Sequence, residues 1–442
     1  MSDTRPRRTR TAQKSTLARH GRLPKTHATA TIFTLVGMIF AVLLASSASV
    51  GIISVSQLKS QIKTVVLPGE KPNAPAPDLG SYAGGFNFLL VGSDTRTGQG
   101  TYAGKDQGVL NDVTMILHVS EDQTNAVAVS IPRDMVVPIP ACPRIDGKGK
   151  YSAMSGLPIN NTLAYGGLPC TVLTVEALTG LSIPFAGLIT FQGVIEMTTA
   201  IGGVPVCING PMIDKYSAIN LPRAGTYNLS GFPALAFLRS RHGVGDGSDL
   251  GRISSQQVFL SSLVRTIKSN DTLTNIPKLF GIAGAATRNM TLSSGLSNLN
   301  TMVAMALVLK NIPLNRITFV QYPSTTGVGG IYAGKVAPIV PDAKALFAKI
   351  KADEAFILDS GTGRGSVKDP TAPGASAAPV VSATPVAPGA KPTATAGATA
   401  TAAPTGSSTA APSPSGTSTA LAVLPGVLGQ TAADYTCSKV NN

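Results

Sequence analysis

Charge disappears from the chain between Thr31 and Val55, where the sequence reads TIFTLVGMIFAVLLASSASVGIISV. About 20 apolar residues cross a ~30 Å hydrocarbon core as a helix. The run therefore predicts one transmembrane helix. Farther along, three runs of six or seven residues are almost continuously apolar: FNFLLV at 86–91, VTMILHV at 113–119 and NAVAVSI at 125–131. Such short, unbroken apolarity predicts strands covered on both faces. PALAFL at 233–238 carries a helical stripe, with Ser230 as the expected N-cap and Pro233 in the first turn. A second helix opens at Asp249 and carries Gln256 and Gln257. The segment 171–204 is long, apolar and nearly uncharged, which suits plain core or the wall of a pocket for a lipid chain. Residues 369–420 are almost entirely Pro, Ala, Thr, Ser, Gly and Val. Such a stretch cannot bury enough apolar surface to offset its ordering entropy.

These patterns divide the chain into a basic cytoplasmic head (1–30), a transmembrane helix (31–55) and a stem (56–84). A single globular domain follows (85–355), then a disordered low-complexity linker (356–420) and a tail (421–442) that regains apolar residues. The head holds Arg5, Arg7, Arg8, Arg10, Lys14, Arg19, Arg22 and Lys25 against Asp3, half of the +14 net charge. Lys and Arg stay on the cytoplasmic side, so residue 56 onward is expected outside. A cleaved signal peptide is the rival reading, and the small residues at 45–49 would suit it; the long basic region and long apolar run favour an anchor. The remaining charge is spread thinly, so nucleic acid is not an expected partner. In an exported chain, Cys142, Cys170, Cys207 and Cys437 suggest disulfides. Three pairings are open. Cys142–Cys170 with Cys207–Cys437 is preferred, because the first two flank one segment. There is no Trp and aromatic residues are few, which argues against an aromatic sugar-binding platform.

Polar residues gather where the strands end. The first strand runs into Gly92-Ser93-Asp94-Thr95-Arg96, Asn111-Asp112 precede the second, and Pro132-Arg133-Asp134 follow the third. Ligands of open α/β sheets bind at such ends. The helix at 233–238 ends in Arg239-Ser240-Arg241-His242, and a glycine-rich loop leads to Asp249 and Arg252. Arginine forks suit phosphate oxygens. The carboxylates of Asp94 and Asp112 are hard ligands of the kind Mg²⁺ takes beside a substrate phosphate. Together they describe a phosphate–Mg²⁺ site. The alternative is a set of ordinary ion pairs, such as Arg133 with Asp134 or Arg241 with Asp249. Arginines in excess at strand and helix ends still require an anion. The glycine loop is neither a Rossmann nor a P-loop fingerprint. His20, His27, His118 and His242 lack metal-ligand spacing. His118 reads as a core histidine.

The stretches FNFLLVGSDTR, NDVTMILHVS, AVSIPRDMVV, LTGLSIPFAGLITFQGVIEMTTAIGGVPVCI and LSGFPALAFLRSRH…SDLGRISSQQ, with the N-terminal anchor, carry a resemblance to the LytR-CpsA-Psr family of cell-wall ligases in its actinobacterial form. The resemblance covers about 85–270 and continues more loosely to about 345. It implies a three-layer α/β/α domain with a central mixed sheet and a hydrophobic pocket for a polyprenyl chain. It implies a phosphotransferase that uses Mg²⁺ or Mn²⁺ to move a glycopolymer from polyprenyl pyrophosphate to a peptidoglycan hydroxyl, with polyprenyl-pyrophosphate pyrophosphatase activity as a side reaction. By the same resemblance Asp94 and Asp112 would bind the metal. Arg96, Arg133, Arg239 and Arg241 would hold the pyrophosphate, with Asp249 and Arg252 completing the site. Gln256 fits the following helix, and Lys150 matches a basic position. Membrane lipid and peptidoglycan are the implied partners. One departure is Ser255, where the family often carries a second arginine. Two other classes compete: a non-catalytic polyprenyl-lipid or wall-binding protein, and a membrane-bound transcriptional regulator.

Overall fold

The computed structural model describes residues 62–70, 82–94, 109–269, 275–358, 361–372 and 421–441. The strands used below are β1 (Lys63–Val65), β2 (Phe86–Ser93), β3 (Asn111–Val119), β4 (Ala126–Ile131), β5 (Phe185–Thr190), β6 (Val204–Ile208), β7 (Gly225–Leu229), β8 (Met290–Ser293), β9 (Ile317–Gln321), β10 (Ser366–Lys368), β11 (Gly429–Thr431) and β12 (Thr436–Ser438). The helices are α1 (Thr162–Thr179), α2 (Phe191–Ile201), α3 (Phe232–Arg239), α4 (Asp249–Ser269), α5 (Ile276–Asn289), α6 (Leu299–Asn311) and α7 (Val340–Lys351).

The three apolar runs form β2, β3 and β4 at the centre of an eight-stranded sheet, in the order β1-β8-β5-β2-β3-β4-β9-β11. The sheet is mixed: β2 is antiparallel to β3 and β3 to β4, whereas β2 and β5, and β4 and β9, run parallel. Alternation along each strand feeds two cores. Leu89, Val91, Ile116, Val127 and Val129 pack with α1 and α7. Phe86, Met115, Val119, Ala126 and Phe319 pack with helices of the opposite layer, α2 and α4 to α6. Helices thus cover both faces, and every residue of β4 is buried.

A second sheet, β7-β6-β12-β10, carries its own core with α3 and the middle of α4. Both expected disulfides are present, Cys142–Cys170 and Cys207–Cys437. The second joins β6 to β12 across a separation of 230 residues.

Three expectations need correction. The helix at 232–239 is capped by Gly231, not Ser230: Gly231 adopts φ 63°, no side chain caps the helix, and Pro233 lies in its first turn. Its amide instead donates to Thr198 Oγ1 at 3.0 Å, a tertiary bond that overrides the local capping preference. The folded part also exceeds residues 85–355. Lys63–Val65, assigned to the stem, pairs with β8, and the tail supplies β11 and β12. Residues 356–358 and 366–368, assigned to the disordered linker, are strands. Three-residue strands are too short to leave a periodic pattern; pairing and the disulfide hold them. The head, the transmembrane run and residues 373–420 lie outside the described residues. Among those described, no helix is long and apolar enough to cross a membrane.

Candidate functional site

Antiparallel pairing brings the C-terminal end of β2, the N-terminal end of β3 and the C-terminal end of β4 to one edge of the sheet. Ser93 faces Asn111, and Thr114 faces Ile131. The β2–β3 register slips between Gly92 and Ser93, which face Val113 and Asn111, so Asp112 has no partner on β2. Such a bulge re-aims a side chain out of the ladder's alternation. Beside it, the Leu110 amide donates to Asp94 Oδ1 at 3.1 Å, and the Asp94 amide donates to Leu110 O at 3.4 Å.

Arg133 leaves β4 at the same edge. Its Nη1 donates to Asp112 Oδ1, and its backbone amide donates to Asp249 Oδ2 at 3.3 Å. Its Nε lies 3.6 Å from Asp249 Oδ1 and 3.7 Å from Asp134 Oδ2. Asp249 opens α4 and Arg252 sits one turn on, so the two meet at 2.6 Å with side chains only 5% exposed. Arg252 Nη2 also donates to the Asp112 carbonyl at 2.8 Å. Burial opposes the charge on Arg133, but Asp112, Asp249 and Asp134 outweigh it and raise its pKa. Arg241 has the opposite balance. Burial, then the neighbouring charges of Arg133 and Arg252, push its pKa down. Among the described residues, the Nε atoms of Arg133, Arg241 and Arg252 are buried without a hydrogen-bond partner. Unpaired buried donors are costly, and three of them on converging guanidiniums fit an anion.

The loop that carries Arg241 hangs on a residue that sequence reasoning missed. Asp214, 3% exposed, accepts at Oδ2 from Ser240 Oγ (2.9 Å) and from the amides of Arg241 and His242 (both 3.1 Å). Its Oδ1 accepts from the Tyr216 amide at 2.9 Å. Burial works to raise its pKa, but these hydrogen bonds prevail and hold it below the usual carboxylate value. Nothing local flags the role of Asp214, because the partners of its Oδ2 lie 26–28 positions away. Lys335, 3.9 Å from Asp134, was also missed.

Directly against this polar cluster lies an apolar cavity of about 180 Å³, walled by Leu90, Met115, Ile189, Val194, Met197 and Leu260. Asp112, Arg239, Arg252 and Gln256 line it too. Thus part of the apolar segment 171–204 does wall a pocket. The Arg239 guanidinium stacks 4.5 Å from the Phe191 ring centre, and Gln256 Nε2 donates to Leu238 O at 2.9 Å. A second apolar cavity, about 160 Å³, opens on the same sheet face beside Phe86, Phe88 and Leu117. Cavities of about 730 and 540 Å³ beside the tail share no lining residue with the arginine cluster.

The structure therefore brings together Asp112, Arg133, Arg241, Asp249 and Arg252, and places Arg239 and Gln256 at the adjoining cavity. Asp94 stands at the same sheet edge. Arg96 lies outside the described residues. Lys150 is exposed on a hairpin where it bridges to Pro143, and no ion pair joins it to the cluster among the described residues. As for metal ligands, Asp94 and Asp112 offer two hard carboxylates, the number Mg²⁺ takes when phosphate and water complete its shell. Among the described residues, three potential ligands converge only at Cys207, Asp369 and Cys437, where the sulfurs form a disulfide.

Sequence comparison places these features in a family. The LytR_cpsA_psr family model matches residues 50–347, so the chain belongs to the LytR_cpsA_psr family. It is 31% identical over 282 residues to the cell wall biosynthesis protein LcpA of Corynebacterium glutamicum, covering 58% of this chain and 53% of that protein. It is 26% identical over 243 residues to TagT of Bacillus subtilis, a polyisoprenyl-teichoic acid–peptidoglycan teichoic acid transferase, covering 54% and 69%. The chain spans about half the length of LcpA. Among solved structures, an Actinomyces oris LytR-Csp2A-Psr enzyme aligns at 22% identity and TM-score 0.48, over 66% of this chain and 96% of that one. TagT bound to LI-WTA aligns at 20% identity and TM-score 0.46, over 65% and 98%.

Proposed function

We propose that the chain is a membrane-anchored, Mg²⁺-dependent phosphotransferase that moves a glycopolymer from a polyprenyl-pyrophosphate carrier to a hydroxyl of peptidoglycan. The observation that carries this reading is the contact between an apolar cavity and a cluster of arginines with unfilled buried donors. A polyprenyl chain suits the cavity, and a pyrophosphate suits the cluster at its polar end. The names of relatives such as TagT agree with it. The helix expected at 31–55 would hold the N-terminus in the cytoplasm and the site outside, where a lipid-linked donor and the wall acceptor lie.

In this reading the acceptor oxygen forms a bond to the phosphorus that bears the glycan. The bond from that phosphorus to the bridging oxygen breaks, and polyprenyl phosphate leaves with the electron pair. Arg133, Arg239, Arg241 and Arg252 hold the pyrophosphate and receive the negative charge that grows on the leaving group; fixed donors of this kind supply most of the catalysis in phosphoryl transfer. Asp94 and Asp112 would hold Mg²⁺ (or Mn²⁺), which when bound neutralises phosphate charge. Asp249 is buried, with Oδ2 accepting from the Arg133 amide and Oδ1 ion-paired with Arg252. We assign the hydroxyl's proton to Asp94, which is partly exposed at the end of β2. Water in place of the hydroxyl would give the pyrophosphatase side reaction. Arg96 would join the phosphate contacts; Lys150, exposed on its hairpin, is left outside them.

The test is phosphate release from a short-chain polyprenyl pyrophosphate by the purified protein, with and without Mg²⁺. Arg239→Ala should lose about 100-fold or more in turnover, the usual cost of one such donor. Near-normal turnover with the fold intact, or full activity in chelator, refutes the assignment.

A further inference from the structure

Beyond Arg241 the chain displays two rings side by side. Tyr216 is 69% exposed, and its ring centre lies 4.6 Å from that of His242, itself exposed. Lys215 Nζ lies 5.4 Å from the Tyr216 ring centre. Leaving so large an aromatic residue in water forgoes burial worth a few kcal/mol, yet its backbone is held in place. The Asp214 carboxylate that binds the amides of Arg241 and His242 also binds the amide of Tyr216. One buried group thus sets the ring pair and the phosphate loop in a single frame.

Arg239 and Arg252 line the apolar cavity, whereas Arg241 and Arg133 do not. Arg241 feels the charges of Arg133 and Arg252, and its backbone amide shares the Asp214 carboxylate with the amides of His242 and Tyr216. A donor whose lipid fills the cavity and whose phosphates cross the arginines would carry its first sugar past the loop that holds Arg241, on which the rings are mounted. Rings of this kind offer an apolar body with polar tips, matching a sugar's C–H face and its hydroxyls, and Lys215 adds a donor. We propose that Tyr216 and His242 form a saccharide subsite for the phosphate-proximal sugar of the donor. This rests on the phosphotransfer reading above and names the part of the site that recognises the glycan. The scarcity of aromatic residues in the sequence argued against such a platform, but two rings held in place suffice for one sugar.

The test uses the detergent-solubilised full chain and two probes: a short-chain polyprenyl pyrophosphate bearing one N-acetylhexosamine, and the same lipid pyrophosphate without sugar. Affinities are measured by calorimetry in chelator, and turnover separately with Mg²⁺. The wild type should prefer the sugar-bearing probe, and Tyr216→Ala should erase about five- to tenfold of that preference, the value of one ring contact. Tyr216→Phe should retain it. Equal weakening toward both probes, or an unchanged preference in Tyr216→Ala, overturns the subsite. Failure of the wild type to release phosphate with Mg²⁺ tells against the phosphotransfer reading and is scored apart from the binding preference.

Discussion

Ser255 Oγ and Ser438 Oγ lie 2.8 Å apart, both buried, where the C-terminal tail crosses α4. Ser255 is the position at which the family resemblance leads one to expect an arginine. Here strand β12 occupies the space such a side chain would need. The tail then grips the glycine-rich loop: the Gly245 amide donates to Lys439 O at 2.8 Å, and the Asn441 amide donates to Gly243 O at 3.2 Å. The tail also packs closely just past the end of β6, for a Cβ at Gly210 would sit 2.8 Å from the Val440 side chain. Ser255→Arg should therefore displace the tail and cost about 1–3 kcal/mol, the usual penalty of overpacking. Thermal melting compared with Ser255→Ala checks it. An unchanged melting point in Ser255→Arg would mean that the tail is not seated there.

The Asp249–Arg252 pair yields a second expectation. Removing one member of a buried pair strands the other's charge, at about 3–5 kcal/mol. Arg252→Ala should unfold at markedly lower denaturant. Arg252→Leu combined with Asp249→Asn should recover part of the loss in stability but none in turnover. Denaturation curves alongside phosphate release separate the two roles. Additive stability losses would rule out the pairing.

Much of the site was readable because its residues sit where strong local patterns break. Asp94, Asp112 and Arg133 flank runs of unbroken apolar residues, and Arg239, Arg241, Asp249 and Arg252 end or begin helices. A charge at such a boundary has few structural excuses, so its chemistry stands out. What stayed hidden depended on distant partners. Asp214 looks ordinary until Ser240 and Arg241 fold back on it. Strands β1, β10, β11 and β12 are each three residues long, and only their pairing defines them. Gly231 took the cap expected at Ser230 because of Thr198, 33 positions earlier.

His118 makes stability depend on pH near neutrality. Its Nδ1 faces Asn87 Oδ1 at 2.8 Å and its Nε2 faces Asp353 Oδ1 at 2.9 Å. Burial lowers its pKa and outweighs the attraction of Asp353. The folded state then binds this proton less readily than the unfolded chain. Its contribution is complete above the unfolded value of about 6.5 and is lost as pH falls through the lowered folded value. Melting temperature should decline between pH 7.5 and 5.5, and the decline should flatten in His118→Gln. An equal slope in both proteins would assign the effect elsewhere.

Asp214 offers the sharpest separation of positioning from chemistry. It is buried under the loop and has no place among the proposed phosphate ligands, yet its Oδ2 fixes the backbone of Ser240, Arg241 and His242. In Asp214→Asn one terminal atom becomes a donor facing donors, so the loop must shift. Displacements of about 1 Å can cost on the order of 100-fold in rate. Turnover should fall by about 10- to 100-fold, and stability by about 1–3 kcal/mol from weakened charge-assisted hydrogen bonds. The pH dependence identifies the cause. A carboxylate with a lowered folded pKa gives stability above the unfolded value of about 3.9 that disappears as pH falls through the folded value. The stability gap between wild type and Asp214→Asn should therefore close as pH drops below about 4. A gap independent of pH would show that the carboxylate's charge is not what holds the loop, and Arg241 would need another anchor.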